Sequence, residues 1–172
     1  MTSGGTLPAP LVLGGRALLL RRAAAADLPA LVALLADDPF GAAREEPGDL
    51  APYRRAFDLV DRDPAHTLLV VVEEDSVVGT LQLTLLPGLS RGGALRGQIE
   101  AVRVAAGLRG QGLGAAMIGW AVEEARRQGA ALVQLTTDTR RHDARRFYER
   151  LGFVASHDGM KLLLRSPPRL VP

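Results

Sequence analysis

The chain has 172 residues, 47% of them hydrophobic and 23% charged, the balance of a folded globular protein and enough length for a proper core. It contains no cysteine, which excludes a disulfide framework, a thiolate zinc site and a cysteine nucleophile. The net charge is only +2, the basic residues are scattered and aromatics make up 4%, so nucleic acid is not an expected partner.

Residues 1–15 are Gly/Pro-rich with weak periodicity and read as a loose arm, without the charged start and long apolar core of a secretory signal. The longest apolar runs, such as Leu68–Val72, are far too short to span a bilayer, so no membrane contact and, by default, a cytoplasmic location are expected. Ala17–Arg22 reads as a first strand. Asp27 suits the N-cap of a helix over Leu28–Ala36, with Pro29 tolerated in its first turn. A polar loop, Asp37–Pro47, leads to a second helix over Leu50–Val60. His66–Glu73 and Val77–Leu86, joined by the tight turn Glu74-Asp75-Ser76, form an antiparallel pair. Pro87–Gly97, holding four glycines, is a loop. After a central strand–turn–helix unit come a strand over Ala131–Thr136, a short helix over Asp143–Leu151, and strands Phe153–His157 and Met160–Leu164 joined at Asp158-Gly159. Pro167, Pro168 and Pro172 end regular structure. This order predicts an α/β fold with a mixed sheet of about six to seven strands and about four helices, antiparallel first and parallel around the central turn. One domain is expected over residues 16–166, with a tail over 167–172.

The central unit, Ile99–Gln128, carries the chemistry. Its strand, Ile99–Val104, leads through Leu108–Gly114 into a helix with Ala115, Met117, Ile118, Ala121, Val122 and Ala125 at helical spacing, stopping near Gly129. Gly110, Gly112 and Gly114 remove side chains just where the helix begins. Bare backbone N–H groups and the positive end of the helix dipole then face one spot, whose natural occupant is a phosphate or pyrophosphate. A nucleotide-triphosphate loop is excluded, because Gly114-Ala115-Ala116 lacks the Lys and the hydroxyl. A dinucleotide fingerprint matches literally at Gly110, Gly112 and Ala115, with Asp138 as a ribose ligand beyond the next strand. Against it, Ala105–Arg109 separate strand from fingerprint, and only 34 residues follow Asp138, too few to complete a doubly wound sheet.

The segment Arg109-Gly110-Gln111-Gly112-Leu113-Gly114 also fits the loop Arg/Gln-x-x-Gly-x-Gly/Ala. Downstream, Ala144-Arg145-Arg146-Phe147-Tyr148-Glu149-Arg150-Leu151-Gly152-Phe153 fits A-x-x-F-Y-E-x-x-G-F. With both segments in order and one strand between them, the sequence resembles the GNAT N-acetyltransferase superfamily over Leu18–Leu164, most firmly over Gln98–Phe153. The resemblance implies that the loop, Arg109 to Ala115, holds the pyrophosphate of acetyl-coenzyme A. It implies further that Val102, Arg103 and Val104 offer backbone groups to the acyl carbonyl and the pantetheine arm. It implies an amine acceptor, and homodimers are common in the superfamily.

Acyl transfer to an amine with a pKa of ~10.4 needs a proton acceptor near neutral pH. Glu100 stands where the superfamily often places a carboxylate. Alternation around it is imperfect, which a mid-strand bulge would explain; the competing reading is a solvated strand glutamate. Tyr148 falls on the position of the superfamily's tyrosine near the coenzyme sulfur and is the expected acid, although Phe147 and Tyr148 also suit a core. Where an Asn is common, this chain has Arg141, followed by His142, and neither takes over the Asn role by resemblance. His66, His142 and His157 lack metal-ligand spacing, so no metal is expected. Asp37, Asp38, Glu45, Glu46 and Asp49 flank the first helix–loop–helix segment, which walls the acceptor pocket in the superfamily; solvated surface is the reading preferred for them over an amine-attracting rim. The expected activity is acetyl transfer from acetyl-coenzyme A to a primary amine by direct attack. The alternatives are a non-catalytic coenzyme-A-binding regulatory module and, more weakly, a dinucleotide-binding oxidoreductase.

Overall fold

The computed structural model describes residues 7–38, 42, 44–162 and 164. Two compact units make up the chain, residues 1–135 and 136–172. In the first, six strands form one sheet in chain order: β1 (Ala9–Leu13), β2 (Arg16–Arg22), β3 (His66–Glu73), β4 (Ser76–Leu86), β5 (Arg96–Val104) and β6 (Leu132–Leu135). Every neighbouring pair is antiparallel except β5 and β6, which run parallel, as expected around the glycine-rich turn. Four helices accompany the sheet: α1 (Leu28–Ala36), α2 (Ala51–Arg62), a short α3 (Ser90–Gly93) and α4 (Leu113–Arg127). In the second unit, α5 spans His142–Arg150.

Alternation along β3 divides the core between the two sheet faces. Val70 and Val72 join Ala23, Leu28, Leu31 and Phe57 in a cluster that brings α1 and α2 onto one face. Leu69 and Val71 face the other way, fully buried, with Leu81, Leu83 and Ile99. There α4 presents Leu113, Met117, Ala121 and Ala125, all buried. The helix lies close on the sheet because two strand glycines make room. A Cβ on Gly79 would meet Met117 Sδ at 3.0 Å, and one on Gly97 would meet the Ala125 Cβ at 3.1 Å. Helix α4 ends as its sequence requires: Gly129 takes φ +85° and donates to the Arg126 carbonyl, and Arg126 and Arg127 occupy the negative last turn.

Several expectations change. Ala9–Leu13, inside the stretch read as an arm, pairs along its length with β2. It is an edge strand, where Pro10 costs no ladder bond. Residues 1–6 and the tail over 167–172 lie outside the described residues. Asp27 does stand at the N-cap of α1, but its carboxylate caps nothing in that helix. Instead it accepts the Ala24 N–H at 2.7 Å and both ends of the Arg21 guanidinium, which holds it below the usual carboxylate range. The two strands expected over Phe153–His157 and Met160–Leu164 are absent from their described residues. Apart from Phe153 these are exposed, Val154, Met160, Leu162 and Leu164 among them, and so lack the buried face that fixes a strand.

Candidate active site

Strand β5 changes character half-way along. From Arg96 to Glu100 its register with β4 is regular, ending with Gln98 opposite Thr84, Ile99 opposite Leu83 and Glu100 opposite Gln82. Arg103 then faces Thr80, so β5 takes three steps where β4 takes two. This is the bulge that the broken alternation called for, and Ala101 within it has φ +53°. Glu100 stands immediately before the bulge, exposed and on the sheet face opposite Ile99. No hydrogen bond or ion pair ties its carboxylate among the described residues.

Strand β6 pairs with β5 only from Arg96 to Ile99. Past the bulge, β5 has β4 on one side and an open edge on the other among the described residues. Ala105 N–H donates to Val78 O at 2.9 Å, so by alternation the backbone groups of Val104 face the open edge. Two carbonyls here are already engaged: Val102 O accepts from Arg103 Nη1 at 2.9 Å and Val104 O from Arg109 Nε at 3.0 Å.

After β5 comes a 3-10 turn, Ala106–Leu108, and then the glycine loop. Gly110 at φ +75° and Gly112 at φ +91° occupy backbone regions that a side chain strains, with Gly112 at the N-cap of α4. The two polar side chains of the loop are exposed and bond back to the protein. Gln111 Nε2 donates to Gly107 O at 2.7 Å, and Arg109 Nη2 donates to both the carbonyl and the carboxylate of Asp37, each at 2.8 Å. Beside them the loop presents backbone. The N–H groups of Gly112, Leu113, Gly114 and Ala115, the orphan donors of the first helical turn, take no protein acceptor among the described residues. A Cβ on Gly110 would meet nothing within 4 Å, so the space in front of the loop is clear there. Four uncommitted donors at the positive end of a 15-residue helix make a cradle that can receive an anion.

The acidic group near α1 and α2 is mostly tied down. Asp37 holds Arg109, Asp38 lies 3.5 Å from Arg103, and Asp49 accepts the Ala51 N–H at 2.9 Å. Tyr53 donates to Glu45 and accepts from the Glu46 N–H, and burial pushes its hydroxyl pKa up. These ties went unseen in the sequence, because a charge run carries no sign of its partners. Their effect is to brace the end of α1 against the glycine loop and β5.

In the second unit, Tyr148 lies on α5 between two rings, edge-on to Phe147 at 5.1 Å and to Phe153 at 5.9 Å. Arg141 is the N-cap of α5, and the exposed His142 opens the helix. Asp138, the ribose ligand of the dinucleotide reading, is held well below its usual pKa by the Arg140 guanidinium. No cluster of metal-ligating side chains exists among the described residues.

With this geometry in place, likeness to known proteins identifies the family. The model of the acetyltransferase (GNAT) family matches residues 28–153. The chain belongs to that family. Its N-acetyltransferase relatives include aminoalkylphosphonate N-acetyltransferase from Salmonella typhimurium, 35% identical over 109 residues that make up 63% of this chain and 70% of that protein. Glucosamine 6-phosphate N-acetyltransferase from Trypanosoma brucei brucei is 38% identical over 86 residues, 50% of this chain and 56% of that one. A crystal structure of a transcriptional regulator from Bacillus halodurans superposes with a TM-score of 0.82 and 43% identity, over 86% of this chain and 99% of the other. This GNAT protein is therefore an acyltransferase of the N-acetylating class, and its mixed six-stranded sheet is the family's fold. No helix among the described residues is long and apolar enough to cross a membrane.

Proposed function

We propose that the protein transfers the acetyl group of acetyl-coenzyme A to a primary amine by direct attack, within one acetyltransferase domain over residues 16–166 of a cytoplasmic protein. The observation that carries this reading is the succession along one chain segment of an unpaired carboxylate at Glu100, an open strand edge at Val102–Val104, and the N–H cradle from Gly112 to Ala115. The cradle fits a pyrophosphate in charge and in donor number. The open edge fits an extended arm bearing amides, which pairs with a strand edge through backbone hydrogen bonds. Arg109 and Gln111 serve the cradle by holding its shape, since both side chains are engaged within the protein.

In the reaction, Glu100 takes a proton from the acceptor ammonium, directly or through a water, and the freed amine attacks the thioester carbonyl. The C–N bond forms as the C–S bond breaks, the nitrogen gives up its second proton to solvent, and Glu100 releases the proton it took, so that the carboxylate is restored. Tyr148 hands its proton to the departing thiolate and recovers one from solvent, so that amide and free thiol leave the enzyme. The acceptor class spans small amines, including amino sugars and aminoalkyl compounds of the sort that the relatives' names describe.

The test is calorimetric binding of acetyl-coenzyme A, followed by thiol release against a panel of amines. Binding with turnover supports the reading. Binding with no turnover on any amine would favour a coenzyme-A-binding regulatory module, and NADH binding without coenzyme A binding would favour a dinucleotide enzyme. Tyr148→Phe isolates the acid: turnover should fall by roughly ten- to a thousandfold with the melting temperature held, and unchanged turnover would leave Tyr148 as a packing residue.

A further inference from the structure

Before its bulge, β5 alternates without interruption. Gly97 and Ile99 face α4, so Arg96, Gln98 and Glu100 share the opposite face. Neighbouring strands extend this face with polar groups. Thr84 and Gln82 lie beside Gln98 and Glu100, His66 beside Thr84, and Gln134 beside Gln98. They bond to one another: His66 Nδ1 with Thr84 Oγ1 at 2.9 Å, Gln82 Nε2 to Thr84 Oγ1 at 3.3 Å, and Gln134 Nε2 to Gln98 Oε1 at 2.8 Å. Glu100 is the only carboxylate that these positions supply.

At the far end of the strip stands Arg96. The other described arginines are exposed or paired: of those that are not fully exposed, Arg21 holds Asp27, Arg103 holds Asp38, and Arg141 is also engaged. Among the described residues, Arg96 is the only half-buried arginine with neither a hydrogen bond nor an ion pair, and its Nε is a buried donor without an acceptor. Its Nη2 rests against Gly88, 3.7 Å from where a Cβ would stand. A guanidinium drawn out of water with no counterion is unfavourable, and such a group calls for an explanation.

We propose that Arg96 receives an anionic group on the acceptor, so that the substrates are primary amines bearing a carboxylate or a phosphoryl-type group several bonds from the nitrogen. The proposal rests on the reading above, in which Glu100 receives the amine. Four strand residues set the two ends about 13 Å apart at their Cα atoms, and Arg96 Nη2 lies by Gly88, past the Leu86 end of β4 and so away from Glu100, which leaves a span too long for an amine and an anion on the same carbon. The guanidinium fork suits a planar carboxylate or a tetrahedral phosphonate alike. Gln98, half-buried, lies between the ends, where a polar middle of the acceptor would find a hydrogen bond.

The experiment measures initial rates with ω-aminoalkanoates and ω-aminoalkylphosphonates of increasing length, beside alkylamines of matched length. The anionic series should exceed the neutral one in kcat/KM by roughly ten- to a hundredfold at an intermediate length, the worth of one charge-assisted contact. In Arg96→Gln that ratio should fall to near one, with the loss in KM, while Arg96→Lys restores part of it; the two anionic series report which anion is preferred. Wild-type rates indifferent to the anion, or a preference that survives Arg96→Gln in a folded protein, would overturn the proposal. If no amine is acetylated, the acyl-transfer reading falls by itself. Calorimetry with the same anionic amines then decides: binding by the wild type and not by Arg96→Gln upholds the anion site, and equal binding overturns it.

Discussion

The two halves of β5 are made of the same backbone and do opposite things. From Arg96 to Ile99 the strand is paired on both sides, and Gly97 and Ile99 are locked between the sheet and α4. From Ala101 to Val104 it is paired on one side only, and its residues are half-buried. One extra residue separates the halves, and Glu100 stands at the junction. The contrast shows how one strand is scaffold in its first half and an open edge in its second. The scaffold half fixes position through packing, and the bulge ends the pairing with β6 without unravelling the sheet. Residues of the first half should therefore register in stability, and residues beyond the bulge in binding and rate.

The sharpest break comes beyond the bulge. Gly112→Asp places a carboxylate and a Cβ where uncommitted N–H groups converge, at a φ of +91°. Acetyl-coenzyme A affinity should fall roughly a hundredfold or more by calorimetry, because charge and sterics both oppose an anion there. Unchanged affinity in the folded variant would remove the loop from the binding site. Next in size is the junction. Glu100→Gln keeps the shape but accepts no proton, and should lower the rate by roughly a hundred- to ten-thousandfold, most strongly at low pH. Since Glu100 is exposed and makes no contact of its own, the melting temperature should stay put. A variant pH–rate profile that overlays the wild type would make Glu100 a strand residue and water the base.

In the scaffold half the expected effect is smaller and of another kind. Gly97→Val puts its Cβ 3.1 Å from Ala125 Cβ, 3.3 Å from Val133 Cγ2 and 3.4 Å from Leu83 Cδ1, with two methyls beyond. Overpacking of this sort costs about 1–3 kcal/mol, read in denaturant unfolding. The folded fraction should keep its affinity for acetyl-coenzyme A. A variant as stable as the wild type that has lost activity would reverse the division of labour between the halves.

Much of this was legible in advance, for identifiable reasons. Strand β3 and the hairpin to β4 follow from β-branched runs around a short turn, and α4 from its apolar spacing and Gly129. Even the bulge showed itself, because Ile99 and Ala101 favour one face while Val102 and Val104 favour the other. Edges and partners were not legible. Strand β1 was hidden by Gly and Pro, which an edge strand tolerates and a central strand does not. Arg109 is placed at the cofactor by its position in the loop, and nothing in the sequence shows that its guanidinium also grips Asp37, 72 residues away. Arg96, at the end of a glycine-rich loop, carries no sign of a role in the sequence. It became visible only once Gly97 and Ile99 had fixed which face was which.

The smallest expected effect tests the junction itself. Ala101 sits at φ +53°, a region that costs an L-residue roughly 1–2 kcal/mol and persists only where its surroundings hold it. Ala101→Gly removes that strain but frees the unfolded chain, a loss of about 0.5–1 kcal/mol. The net gain should be about 0.5 kcal/mol, a small rise in denaturant midpoint. Pairing on either side fixes the bulge, with Glu100 facing Gln82 before it and Arg103 facing Thr80 after it. Glu100 should therefore keep its place, and kcat should hold within about twofold. Ala101→Val makes the opposite demand, since a β-branched residue at positive φ is a true outlier. The strand can then relieve itself only by giving up the extra residue, which would turn Arg103 and Val104 to the wrong faces. Stability and acetyl-coenzyme A affinity should fall together in that variant. A loss of stability in Ala101→Gly with a gain in Ala101→Val would mean that the strand is regular at this point. The two halves of β5 would then be one continuous strand, and the open edge proposed for the coenzyme arm would need another cause.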